Sequence, residues 1–303
     1  MAEGAGTSAP DGSPRPLPAV DVVMPFAGDA AAAGEALAAL AVLVPEAASV
    51  TLVDNSREGA AAALQPPAGV GVLAATAIQG SYYARNAGAA ATGSPWLLFV
   101  DSDCLPPAGM VGRYFEPGPG ERTGLLAGAV RAAPGDSRAA RYAASRTHID
   151  ERFHLETGPY PSGVTANLLV RRAAFDEVGG FDASVRSGGD LDFCWRVQRA
   201  GWKLEHRPAA ELEHRHPDEI PRLLAKARRH AAGRAWVNRL WPGALPKPPI
   251  ARPFLRGPLV AAWWALRGDR ERAVFKLIDI RLQAASLLGY HRGDNRAQPG
   301  PGA

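Results

Sequence analysis

Short apolar, β-branched runs alternate with Ala-rich stretches through the first third of the chain, and this alternation restricts the fold more than any other feature. VDVVMP (20–25) is followed by a helical pattern over 30–43, then SVTLVD (49–54) and GVGVLA (69–74). A second helical pattern over 82–91 leads into PWLLFVD (95–101). Strands separated by helices at this spacing imply βαβ units and a mostly parallel sheet. The runs lack polar alternation, as expected of strands covered on both faces. Ligands of open parallel sheets sit beyond the carboxyl ends of the strands. The first candidates for a site are therefore Pro25, Asp54 and the acids of Asp101-Ser102-Asp103.

The second half reads as a mixed region. A strand is expected over 124–130, a helix over 136–153, a strand over 163–170 and a helix opening near Asp190. WKLEH and AAELEH then form a strand pair ending at His214. With 303 residues the chain can bury a sizeable core without staples. The expected organisation is a Gly/Pro/Ala/Ser-rich disordered leader over 1–19, one α/β domain over 20–240 with halves at 20–110 and 111–240, and a helical appendage over 241–303. No apolar run reaches the roughly 18 residues a membrane span needs. A soluble or peripheral protein is expected, with the peripheral option resting on Trp263 and Trp264 beside Arg267, Arg270 and Arg272. Cys104 and Cys194 form neither a CxxC pair nor a disulfide framework, which suits a reducing, cytoplasmic setting. The net charge is only +4, but 222–239 is strongly basic and points to an anionic partner. No nucleic-acid-binding motif accompanies that charge, so no nucleic-acid partner is expected.

FVDSDC delivers Asp101 and Asp103 to the end of an apolar strand. Carboxylates at this spacing suit Mg²⁺ or Mn²⁺, which in turn can hold a diphosphate; equally, Asp103 can cap a helix beginning near Pro106. Arg85 and Asn86 open the preceding helix, where a guanidinium and exposed amides favour a phosphate, or where they are simply solvated. Asp54 can accept from a nucleotide base or serve in a turn. Asp190, at a loop-to-helix junction, is a general-base candidate or an N-cap. His214 and His216 share one side of an extended segment, and either ring can complete a carboxylate metal site or stand as a surface residue.

In order along the chain, VDVVMP, TLVDNS, ARNAG, DSD, TANLLVRRAAFDEVGGFD and GGDLDFCWR resemble the family 2 glycosyltransferases over about residues 20–240. The resemblance implies a GT-A-like (Rossmann-like) α/β fold. It places Pro25, Asp54, Arg85, Asn86, Asp101 and Ser102 at the nucleotide, Asp103 and His214 at Mn²⁺ or Mg²⁺ with His216 as the fallback ligand, and Asp190 at the acceptor hydroxyl as general base. The chain departs from the family pattern at Phe26-Ala27-Gly28 and at Gly189, where the family carries an acid.

What the resemblance implies is inverting transfer of a sugar from a nucleoside-diphosphate donor to an acceptor hydroxyl, the acceptor being a lipid, glycan, peptide or small metabolite. Two other readings compete. A non-catalytic nucleotide- or glycan-binding module would explain Gly189. A nucleotidyltransferase would need an early Lys-rich triphosphate loop, and no Lys precedes Lys203.

Overall fold

The computed structural model describes residues 17–146, 154, 156–250 and 252–300. Residues 1–16 of the expected leader and 147–153 of the expected helix lie outside the described residues. The strands are β1 (Val20–Phe26), β2 (Ser49–Asp54), β3 (Val70–Ala74), β4 (Ile78–Gln79), β5 (Trp96–Val100), β6 (Cys104–Leu105), β7 (Thr123–Ala132), β8 (Asn167–Arg171), β9 (Lys203–His214) and β10 (Gln298–Pro299). The helices are α1 (Ala30–Ala41), α2 (Ser81–Ala90), α3 (Met110–Arg113), α4 (Arg138–Ser145), α5 (Arg172–Glu177), α6 (Gly189–Arg199), α7 (Ile220–Leu240), α8 (Arg252–Leu266) and α9 (Arg270–Arg292).

Eight strands form one sheet in the order β3, β2, β1, β5, β8, β7, β9, β6. β3, β2, β1 and β5 are mutually parallel. β8 runs antiparallel to both β5 and β7, β9 is parallel to β7, and β6 returns antiparallel along β9. The strand order reverses at β1, so the crevice between the carboxyl ends of β1 and β5 is the topological switch point. Alternate residues feed two cores. Val22, Met24, Leu98, Val100 and Leu169 pack with α1 and α3 on one face, and Val23, Leu97, Phe99, Leu168 and Val170 pack with α2, α5 and α6 on the other. Continuously apolar strands are what this double burial requires. Helix α2 lies so close to the sheet that a Cβ on Gly88 would come within 2.4 Å of Val23.

Two expectations about local structure change. The anticipated strand pair is a single strand, β9, which runs along β7 with a register shift between Gly128 and Val130. Pro208 lies in the shifted segment, where a residue without an N–H costs no ladder bond. The buried side chain of Asn167 fills the gap: its Nδ2 donates to Ala129 O (2.8 Å) and Ala210 O (2.7 Å), and its Oδ1 accepts from Tyr114 Oη (2.6 Å). Asn167→Leu strands a buried hydroxyl and two carbonyls. It is expected to lower the unfolding free energy by about 2–4 kcal/mol in urea denaturation; a loss within error would show that the bracket is dispensable. Asp103 also caps no helix, because the chain enters β6 directly and the next helix starts at Met110.

The C-terminal helices return to the domain. Helix α9 lies against α7 so closely that a Cβ on Gly289 would meet Arg228 O at 2.1 Å. Asp279 of α9 accepts from Tyr142 Oη (2.7 Å), from Arg146 Nε (3.0 Å) and Nη2 (3.1 Å), and from Lys276 Nζ (3.2 Å). Among the described residues no helix is long and apolar enough to cross a membrane.

Candidate functional site

β5 ends at Val100, and the turn Asp101-Ser102-Asp103 passes into β6, whose antiparallel register on β9 sets Cys104 opposite His214. That register brings His214 Nε2 to 3.3 Å from Asp103 Oδ2. His216 lies beside it, with ring centroids 5.3 Å apart. Ligand atoms of Asp103, Cys104 and His214 lie within 4.8 Å of one another. Burial, with the Asp101 and Asp103 carboxylates adding to it, pushes the Cys104 thiol well up, and a soft sulfur donor is in any case less suited to Mg²⁺ or Mn²⁺ than a carboxylate oxygen. Burial holds His214 below the usual imidazole range, leaving the neutral ring that metals bind, and its buried Nδ1 has no hydrogen-bond partner. Desolvation, and less strongly the Asp101 carboxylate, raise Asp103 above the usual carboxylate range. A crowded carboxylate beside a neutral imidazole is a donor set that a hard or borderline cation fits.

Asp101 is held from the other side. Arg85, 3 % exposed, forms an ion pair with it and lies over the Tyr82 ring, 5.5 Å from the centroid. The Tyr82 hydroxyl accepts from Gly189 N (3.0 Å) and donates to Asp190 Oδ1 (3.3 Å), which also accepts from Leu191 N (3.1 Å). Asp190, Tyr82, Arg85 and Asp101 thus form one chain of contacts from the start of α6 to the end of β5. From α7, the charges of Lys226 and Arg229 both reach Asp103, and Arg229 also reaches Asp101 and Tyr82.

The other expected residues have different surroundings. Pro25 is buried within β1, paired with Val53. Asp54, also buried, accepts from Ser56 N (2.9 Å), Ser56 Oγ and Ala61 N (2.8 Å), which organises the loop after β2. Ser102 is half-buried in the turn. Asn86 turns away from the acids: its amide donates to Phe181 O (2.8 Å) and accepts from Phe181 N (3.0 Å). Phe181 stacks with Tyr82 and packs against Phe99, Phe175 and Phe193. The Gly-Gly-Phe-Asp turn and the Arg-Asn helix are therefore one packed unit that sets the position of Tyr82. Asp192 points elsewhere, bonded to Arg196 Nε (2.7 Å) and Trp241 Nε1 (3.0 Å).

Tyr82 is the residue that sequence reasoning missed. Its trace in the sequence is Gly189: a Cβ there would lie 2.7 Å from Tyr82 Cε2, so the ring packs directly against the backbone at 189. Tyr82→Phe removes the hydroxyl that orients Asp190. It is expected to lower turnover about tenfold while nucleotide affinity stays within about twofold. Unchanged turnover would assign Tyr82 to packing alone.

The sequence profile of glycosyl transferase family group 2 matches residues 96–275, more than half of the chain. The chain belongs to glycosyl transferase family group 2. It is 31% identical over 157 residues to the pre-mycofactocin glycosyltransferase of Mycobacterium tuberculosis, covering 49% of this chain and 33% of that protein. It is 30% identical over 188 residues to glycosyltransferase AglE of Haloferax volcanii, covering 56% and 60%. The chain thus spans between a third and three fifths of these relatives. The mannosyltransferase PcManGT of Pyrobaculum calidifontis, solved with GDP-Man and Mn²⁺, superposes with a TM-score of 0.64 at 16% identity over 92% of this chain and 88% of that one. The group 2 chain shares that GT-A fold.

Proposed function

We propose that the chain transfers a sugar from a nucleoside-diphosphate donor to an acceptor hydroxyl with inversion at the anomeric carbon. The observation that carries the proposal is the continuous contact chain from Asp190 through Tyr82 and Arg85 to Asp101, next to the Asp103–His214 pair. The two relatives named as glycosyltransferases, and the Mn²⁺ and GDP-Man of PcManGT, support it. Asp103 and His214 would hold a divalent cation, Mn²⁺ or Mg²⁺. When bound, such a cation neutralises charge on the departing diphosphate. Asp101 is kept in place by Arg85, and Lys226 and Arg229 add positive charge on the side of α7. Asp190 takes the proton from the acceptor hydroxyl as that oxygen attacks the face opposite the diphosphate. Gly189 does not favour a non-catalytic module, because Tyr82 packs against the backbone there and bonds the base itself.

In this reading residues 20–110 bind the donor, 111–240 shape the acceptor side and 241–303 are appended. A cytoplasmic setting is supported by Cys104 and Cys194, both buried free thiols. A thermal-shift screen of UDP, GDP, dTDP and CMP, each with Mn²⁺ and with EDTA, tests the donor site. A ligand that binds only the folded state raises its apparent stability, so one nucleotide is expected to raise Tm in Mn²⁺ and to lose the effect in EDTA. No shift with any of them would remove the donor site from the proposal.

A further inference from the structure

Helix α8 carries an apolar surface that the other described residues leave exposed. Gly257 and Ala261 are its buried contacts, with Gly257 pressed against Ile280 of α9. Leu255 and Leu259 are each 71% exposed, Trp263 44% and Leu266 89%; Ile250, just before the helix, is 71% exposed. At 100° per residue, Leu255, Leu259, Ala262 and Leu266 share one face, with Trp263 at its margin. Arg256 and Arg267 are exposed along that same margin, and Arg267 lies over the Trp263 ring, 4.0 Å from its centroid. Large side chains exposed in a row on a helix mark a surface that something else covers.

The charge identifies the partner. From Arg252 to Gly268 the chain has three Arg and no Asp or Glu, so α8 carries no acid to answer Arg256 and Arg267. A second copy of the chain seated on this face would set Arg256 and Arg267 against their own kind, whereas an anionic surface would be attracted. At 1.5 Å per residue the helix is about 22 Å long, too short to cross a hydrocarbon core of about 30 Å but long enough to lie along it. Leu and Trp on one side with Arg at the margin is the pattern of helices seated at the headgroup boundary.

We propose that α8 docks the protein onto an anionic phospholipid bilayer, with Leu255, Leu259, Trp263 and Leu266 entering the acyl boundary and Arg256 and Arg267 meeting lipid phosphates. The proposal concerns binding and does not depend on the transfer reaction above.

Co-sedimentation of the full chain with vesicles tests it. Vesicles of equal parts phosphatidylcholine and phosphatidylglycerol are expected to carry down at least about tenfold more protein than phosphatidylcholine alone, with the difference shrinking as salt rises. Leu259→Glu/Leu266→Glu changes two exposed side chains, so Tm is expected to hold while vesicle binding falls at least about tenfold. Arg256→Glu/Arg267→Glu is expected to weaken binding to the anionic vesicles and leave the phosphatidylcholine background unchanged. Absence of wild-type binding to anionic vesicles, or equal binding by the leucine variant, would overturn the proposal. So would a wild-type dimer in light scattering that the leucine variant abolishes, since a second copy would then be the occupant.

Discussion

Asp103→Ala is expected to abolish the metal-dependent part of nucleotide binding and to lower sugar transfer by about a thousandfold or more. The carboxylate lies 3.3 Å from His214, and the soft Cys104 thiol is a poor substitute for its oxygens toward Mg²⁺ or Mn²⁺. Little stability should be lost with it. Asp103 stands half-exposed in the turn, and its side-chain contact is the one to His214 at 3.3 Å. The variant should therefore fold with wild-type Tm in EDTA and differ only when Mn²⁺ and nucleotide are added. His214→Ala is expected to act in the same direction and less strongly, because it removes a ligand without removing the negative charge. If Asp103→Ala keeps its Mn²⁺-dependent Tm shift, the cation is held elsewhere.

Asp190→Asn separates donor binding from chemistry. The amide is nearly isosteric and its oxygen can still accept from Tyr82 and Leu191 N, so the start of α6 should keep its geometry. An amide cannot take a proton from an attacking hydroxyl. General-base catalysis contributes roughly 10²–10⁴-fold, and turnover is expected to fall by that factor while the metal-dependent nucleotide Tm shift stays intact. Wild-type turnover in Asp190→Asn would remove the residue from the role. A parallel loss of nucleotide binding would show that Asp190 instead supports the donor site through Tyr82 and Arg85.

The parts of the fold that were legible are those in which burial leaves a local imprint. β5 is wholly apolar and β1 nearly so because both their faces are covered, and this pattern located their carboxyl ends and the acids after β5. The bond between Tyr82 and Asp190 spans 108 positions, and no local pattern records it; only the glycine at 189 hints that a neighbour fills its space. Asn86 was misleading for a related reason. A polar residue at a helix start looks available for a ligand, yet its partner is the Phe181 backbone, 95 positions away. β9 looked like two strands because Pro208 interrupts the pattern, while Asn167 and the register shift that hold it as one belong to other strands. In the C-terminal appendage helical structure was expected, but not that α9 would be fastened to α4 through Asp279 while α8 keeps an exposed apolar face.

The measurement that bears most directly on the central claim is the anomeric configuration of the first product. An α-linked nucleotide sugar, its base chosen by the thermal-shift screen, is incubated with the wild-type chain and Mn²⁺ with a simple alcohol as acceptor, and the anomeric proton is followed by NMR in the first minutes. Attack by an oxygen deprotonated at Asp190, on the face opposite the departing diphosphate, predicts a β-linked product whose formation stops in Asp190→Asn. An α-linked product would contradict the placement of the base and, with it, the inverting reaction.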